Sequence, residues 1–188
     1  MFDKDISITG KHGEYMRRLV ADFSTQDFSG KEKITNHFFN YAYDVYKCVA
    51  IVGFLYGRKA EKSASASGEK EYSIMLSQIK NIRDDLMFNY RLIMLLDENH
   101  ESNFDERLQK AFNYYGDEEK SKSDKELFER YTLGGIEILY EKLIGNASKQ
   151  EDYLANLISF VQEFEQRYNS TIDSSNLIEL SRRLSSIQ

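Results

Sequence analysis

The sequence predicts a single all-α domain, a bundle of six to seven mostly antiparallel helices. The chain has 188 residues, no proline and only 10 glycines, whereas sheet proteins need turn residues every few positions. Apolar residues also recur at helical spacing through long uninterrupted runs. An apolar fraction of 41% with 30% charged residues is typical of a globular chain with a solvated surface. We therefore expect residues 1–188 to form one domain.

The first half of the chain predicts an arm, two helices and a loop. Residues 1–10 form the arm, and apolar spacing places a first helix over 11–24. The second helix has the most apolar stripe, which predicts a central position in the core. Its members are Phe38, Ala42, Val45, Val49, Val52 and Tyr56. The small polar residues of 61–71 predict a flexible surface loop.

The second half predicts four further helices and a C-terminal segment. A third helix of about 25 residues begins near Met75, and a shorter fourth one covers Phe104 to Tyr115. Ser123 followed by Glu126 is a capping-box pattern that predicts the start of a fifth helix, which ends near Gly145. A sixth helix is expected over Gln150 to Tyr168. The C-terminal segment 170–188 has leucines spaced by three and four, and we expect it to order against a partner.

Glycines within helices indicate close packing rather than a phosphate-binding loop. Gly53 lies inside the second predicted helix, and Gly134 and Gly135 lie inside the fifth. Without a side chain, such residues let two helix backbones approach each other. Gly57 follows the second helix and is expected to help end it.

Cysteine usage and the N-terminal composition predict a cytoplasmic protein. The single cysteine, Cys48, lies in an apolar run and has no partner for a disulfide within the chain, which indicates a reducing compartment. The first residues are charged where a signal peptide needs apolar ones. The longest charge-free apolar run, 48–57, is about half of the ~20 residues that span a membrane. We expect no membrane partner.

Patterns for covalent catalysis are absent from the sequence. Cys48 has apolar surroundings that would raise the pKa of its thiol and leave it inert. No serine lies in a nucleophile-elbow pattern. The only histidines are His12, His37 and His100. The sequence therefore predicts no catalytic residue and no cofactor.

One cluster of carboxylates and a histidine leaves a metal-dependent hydrolase open as a second alternative. Asp97, Glu98, His100 and Glu101 are side chains that Mg²⁺ or Mn²⁺ accepts as ligands. The same residues end a helix and begin a polar loop, where solvated charge is usual. The spacings of helical metal sites do not occur there, so we assign no metal ligand.

Nucleic-acid binding is the first alternative function. The net charge of the chain is −6, and only residues 1–60 are basic, with nine Lys and Arg against seven Asp and Glu. A phosphate-binding protein usually has a larger basic excess. The residues that could join into one basic patch are Arg17, Arg18, Arg58, Lys59, Arg182 and Arg183.

Aromatic residues favour a protein-binding function. The chain has 13 tyrosines and 12 phenylalanines, and neighbouring aromatic residues cannot all point to one helical face. Some must lie at a surface, as in a non-catalytic adaptor that binds a protein partner or a second copy of itself. The predicted interface residues are Phe39, Tyr43, Tyr46, Tyr56, Tyr114, Tyr115, Leu180 and Leu184.

Two stretches carry a resemblance to known proteins. VGFLYGRKAE at 52–61 and YTLGGIEILYEKL at 131–143 resemble small all-α proteins encoded in bacterial restriction and anti-phage defence gene clusters. The resemblance covers about a third of the chain and lies in helix-packing residues. It implies an accessory subunit beside a nuclease, methyltransferase or ATPase, and it assigns no functional residue.

Overall fold

Seven α-helices and two short strands make up the computed structural model, which describes residues 2–20, 38–63 and 71–168. The predicted all-α class is confirmed. The elements are β1 (Ile6–Ile8), α1 (Gly10–Leu19), α2 (Ala42–Leu55), β2 (Tyr72–Ile74), α3 (Leu76–Asn81), α4 (Arg83–Leu96), α5 (Phe104–Phe112), α6 (Lys122–Leu143) and α7 (Gln150–Tyr168), with a 3₁₀ turn at Tyr114–Gly116 between α5 and α6.

Helix α6 is the centre of the bundle, because every residue from 131 to 139 is buried. Helix α2 lies directly against it. A Cβ atom on Gly53 of α2 would overlap the carbonyl oxygen of Tyr131, so the two backbones are in contact. Gly134 is equally close to the carbonyl oxygen of Arg58. The predicted role of these glycines in close packing is confirmed.

The end of α2 follows the predicted pattern. Gly57 has a φ of +64°, a left-handed conformation that glycine adopts at no steric cost. The amide of Arg58 then donates a hydrogen bond to the carbonyl of Gly53 at 2.9 Å. This turn directs residues 58–63 back along α6.

A two-stranded antiparallel sheet joins the predicted arm to the segment after the predicted loop. Ile6 pairs with Ile74, and Ile8 pairs with Tyr72. Ile8 and Ile74 are buried in the core. The arm at 1–10 therefore contains a strand and the first residue of α1. Part of the predicted loop, 64–70, lies outside the described residues.

Several helix boundaries differ from the prediction. Helix α2 begins at Ala42, so Phe38 precedes it, and α5 ends at Phe112, with Tyr115 in the following 3₁₀ turn. Helix α1 ends at Leu19 rather than near residue 24.

The third predicted helix is divided at Ile82, whose ψ of 12° interrupts it. The predicted capping box at Ser123 is wrong: Ser121 precedes α6, and its buried hydroxyl donates to the carbonyl of Asp117. The turn that starts at Asp117 thus leads into α6 at Lys122, ahead of the predicted cap at Ser123.

Helix α7 has the predicted bounds and packs on α6. Its inner residues Tyr153, Leu157 and Phe160 contact the main core. The predicted C-terminal segment, 170–188, lies outside the described residues. Among the described helices, none combines the length and the apolar character that crossing a bilayer requires.

Candidate interaction surface

Helix α7 begins at a well-formed cap. Asp152 accepts hydrogen bonds from the amide of Ser148 at 2.7 Å, from its hydroxyl at 2.9 Å and from the amide of Lys149 at 2.8 Å. These bonds satisfy groups at the helix start and hold the pKa of the Asp152 carboxyl below its usual range. The cap fixes where the helix starts and hence which side chains face outward.

Polar contacts hold the inner face of α7 against α2 and α6. The Tyr168 hydroxyl donates to the carbonyl of Leu55 at 2.5 Å, and Asn156 donates to the carbonyl of Leu143 at 3.1 Å. Glu163 accepts from Lys142 at 2.6 Å and from the Tyr56 hydroxyl at 3.3 Å. The orientation of α7 about its own axis is therefore set by four hydrogen bonds from three of its side chains.

The outer face of α7 carries an apolar stripe that the residues described by the structure leave exposed. Leu154, Ile158 and Val161 are 61%, 49% and 48% exposed and follow the spacing i, i+4, i+7 of one helical face. They are three of the eight large hydrophobic residues exposed in the described ranges. No residue of α7 is buried. We call these three residues the α7 stripe.

Sequence reasoning did not separate the α7 stripe from the packed face, because helical spacing puts residues of both faces on one predicted stripe: Leu154, Leu157, Ile158, Val161, Phe164 and Tyr168. The signal was nevertheless present. Apolar residues stand at 153, 154, 157, 158, 160, 161 and 164, which is wider than the arc that one neighbouring helix can cover. Such a wide arc indicates two contact faces.

The predicted aromatic interface is only partly exposed. Tyr46 is 7% exposed and belongs to the core, so it cannot contact a partner in this fold. Tyr56 is half-buried beneath α7, where its ring stacks on Phe160 at 6.3 Å. Phe39 and Tyr43 are half-buried at the start of α2.

The remaining predicted interface residues lie elsewhere. Tyr114 and Tyr115 are half-buried on the turn after α5, where Lys120 and Arg91 lie over their respective rings. The last two predicted residues, Leu180 and Leu184, are outside the described residues. The predicted set therefore does not form one surface in the described part of the chain.

The predicted basic patch is interleaved with acidic and polar partners. Arg58 donates to Glu141 at 3.2 Å and to Glu137 at 3.3 Å. Arg18 donates to the Tyr140 hydroxyl at 2.7 Å. Both arginines thus lie along α6, Arg58 beside two carboxylates and Arg18 beside a tyrosine hydroxyl, rather than on an open cationic surface. The other members also have acidic neighbours: Arg17 pairs with Glu14 and Lys59 with Asp97, whereas Arg182 and Arg183 are outside the described residues.

A buried charge cluster joins α1 to α6 beside this patch. Glu137 accepts from Lys11 at 2.7 Å and from the fully buried His12 at 3.0 Å. Burial alone would raise the pKa of Glu137, but the hydrogen bonds from Lys11 and His12 outweigh it and lower that pKa. Burial lowers the pKa of His12. The cluster is a structural connection between two helices.

The carboxylates and the histidine of the Asp97–Glu101 cluster have separate partners. Asp97 accepts from the Tyr131 hydroxyl at 2.6 Å, His100 contacts Asp124 at 2.7 Å, and Glu98 pairs with an arginine at 3.0 Å. Within residues 2–20, 38–63 and 71–168, no three His, Cys, Asp or Glu side chains are grouped to hold a metal ion.

A pocket of about 480 Å³ lies beside the start of α6, next to His100. His100 and the buried Asp124 have the geometry of a base and its orienting carboxylate. The hydroxyl of Ser123, however, lies 3.5 Å from the carboxylate of Asp124, and no nucleophile among the described side chains is hydrogen-bonded to the imidazole. Two cations at this pocket are paired with acids, in Lys62–Glu129 and Arg130–Glu61.

The α7 stripe is therefore an exposed apolar cluster on one helix face with no covering neighbour within residues 2–20, 38–63 and 71–168. Exposed apolar clusters of this kind mark sites of contact with other molecules. Comparisons with protein-family models, with curated proteins and with solved structures found no match for this chain.

Proposed function

We propose that this chain is a non-catalytic helical adaptor that binds another protein chain through the α7 stripe. The observation that carries the proposal is the exposure of Leu154, Ile158 and Val161 on a helix whose opposite face is anchored to the core. Leaving this much apolar surface in water is unfavourable, and a bound helix or groove would remove it from water. Anchors at i, i+4 and i+7 are the pattern of helix-in-groove recognition.

The rigid attachment of α7 supports the same proposal. A binding helix that is already ordered loses little conformational entropy when its partner docks. The Asp152 cap and the Tyr168 and Asn156 hydrogen bonds hold the helix in one orientation. The α7 stripe is thus presented to a partner without further folding.

The resemblance to accessory proteins of defence gene clusters gives this proposal a partner class. An adaptor of that kind would hold a nuclease, methyltransferase or ATPase, and the partner would carry out the chemistry. This chain would then need no reactive group of its own, and the contacts of His12 with Glu137 and of His100 with Asp124 would have structural roles.

The interleaved carboxylates make nucleic acid a weaker candidate for the ligand. A phosphate that approached Arg58 would have to displace Glu137 and Glu141. Binding to phosphates also weakens steeply as salt rises, whereas an apolar contact changes little. Salt dependence of binding therefore separates the two functions.

Site-specific photocrosslinking in the cell that naturally makes this protein tests the proposal. A photoreactive phenylalanine analogue at Ile158 should yield a covalent adduct with a protein that nuclease treatment does not remove. The matched control is the same analogue at Gln166, an exposed polar position of the same helix. An absence of protein adducts from Ile158, or the same adducts from both positions, would contradict the proposal.

A further inference from the structure

Two acidic residues bracket the α7 stripe and indicate the chemistry of its partner. We infer that the partner presents an amphipathic helix with basic residues at both ends of its apolar stripe, and that a second copy of this chain is not the partner. This inference rests on the proposed function of the α7 stripe.

Glu151 and Glu165 lie seven residues before and after Ile158. Seven residues are close to two helical turns, so both glutamates share the face of Ile158, each about 10 Å from it along the axis. Both are exposed. Neither has a hydrogen-bond or ion-pair partner among the described residues.

The other charged groups of α7 are already engaged within the chain. Asp152 caps the helix, Glu163 pairs with Lys142 at 2.6 Å, and Arg167 lies over the Tyr56 ring. Glu151 and Glu165 are therefore the charges of this helix that no described residue engages.

Pairing of two α7 helices through the stripe would bring like charges together. In an antiparallel pair centred on Ile158, Glu151 of each copy faces Glu165 of the other. In a parallel pair in register, each glutamate faces its own counterpart. Like charges at such spacings are destabilising, so both arrangements oppose self-association.

A complementary partner follows from the same spacing. It needs three apolar residues at the spacing of the α7 stripe and a Lys or Arg about seven residues to each side of the central one. Its charges would then meet Glu151 and Glu165 at the ends of the contact. The basic ends would contribute specificity and a faster association rate.

Two synthetic helical peptides with one apolar stripe, one with lysines and one with glutamates at both ends, test the inference. Fluorescence anisotropy with the full chain should show the Lys-ended peptide binding about tenfold more tightly at low salt. The difference should shrink at high salt. The double variant E151K/E165K should prefer the Glu-ended peptide. The control E118K/E119K makes the same charge change at exposed residues before α6 and should keep the original preference.

The outcomes separate this inference from the proposed function. Failure of both peptides to bind, or binding that Ile158→Lys leaves unchanged, would overturn both. Equal binding of the two peptides, lost in Ile158→Lys, would overturn the inference alone. So would a dimer of the wild-type chain that Ile158→Lys converts to a monomer. Binding of a peptide of residues 171–188 that Ile158→Lys abolishes would make the chain's own C-terminal segment the occupant and would also overturn the inference.

Discussion

Gly135 of α6 lies so close to Val49 of α2 that a Cβ atom on the glycine would overlap the valine carbonyl oxygen. The obstacle is backbone, which cannot rotate away as a side chain can. We expect Gly135→Ala to destabilise the fold by about 3 kcal/mol or more. Urea denaturation followed by circular dichroism measures this. Gly116→Ala is the control, because its Cβ would meet open space; equal stabilities of the two variants would contradict the close contact.

Removing the Tyr131 hydroxyl should weaken the join between α4 and α6. Asp97 is 3% exposed, and without Tyr131 its Oδ2 keeps only Lys59, whose Nζ lies 3.8 Å away. A buried acceptor without a close hydrogen-bond donor costs about 1–3 kcal/mol of folding free energy. We expect Tyr131→Phe to lose that much stability in urea denaturation. Tyr153→Phe, which removes a hydroxyl with no hydrogen bond to a described residue, should lose less than about 0.5 kcal/mol.

Protonation of His12 should couple folding to pH. Burial lowers the pKa of His12 in the folded chain below the ordinary value of 6.5. At a pH between these two pKa values, the unfolded chain therefore binds more protons than the folded chain. Stability is then complete above pH 6.5 and falls as the pH is lowered, by at most about 1.4 kcal/mol per pH unit from this group.

Denaturation of the wild type and of His12→Gln between pH 7.5 and pH 5 measures this contribution. Glutamine can still donate to Glu137 but does not titrate. Lys11, Arg58 and Glu137, which surround His12, keep their charges across this range. The variant should show the shallower decline, and parallel curves for the two proteins would rule out a role for His12.

Cys48 should react slowly with thiol reagents. Burial raises the pKa of its thiol to about 11, so at pH 8 the thiolate fraction is about 100-fold lower than for an exposed cysteine. We expect one thiol per chain to be modified about tenfold more slowly in the native protein than in urea, because the higher nucleophilicity of a high-pKa thiolate offsets part of its lower fraction. The chain has a single cysteine, so the signal is unambiguous, and rapid native labelling would show that the thiol is accessible.

The two faces of α7 should respond differently to substitution. Ile158 is half-exposed and contributes little to the core, so Ile158→Lys should change stability by less than about 0.5 kcal/mol. Leu157 packs against the core, and Leu157→Ala should cost about 1–2 kcal/mol because it is only partly buried. Thermal unfolding of both variants tests this, and a large loss for Ile158→Lys would mean that the stripe is structural.

Helical periodicity and glycine placement predicted parts of the fold well. The bounds of α7, Gln150–Tyr168, match the prediction, and the glycines of α2 and α6 have the expected packing role. The break at Ile82 was not visible, because the apolar spacing continues through it. The strands β1 and β2 are too short for alternation to be distinguished from chance.

The candidate surface was harder to predict because exposure depends on distant residues. Tyr46 and Ile158 both follow helical spacing, yet α6 covers one and nothing in the described chain covers the other. Likewise, His12 and Glu137 are 125 positions apart, and no local pattern indicates their contact. Sequence alone therefore predicts which faces are apolar but not which of them find a neighbour.

The contact between His12 and Glu137 also constrains how the protein is made. During synthesis, α1 leaves the ribosome long before α6, which provides its main packing surface, so the apolar side of α1 stays without its native neighbour for most of translation. Contacts of such long sequence separation slow folding, and exposed apolar segments favour aggregation in the meantime. A chaperone that shields the nascent N-terminal segment would therefore increase the yield of folded chain.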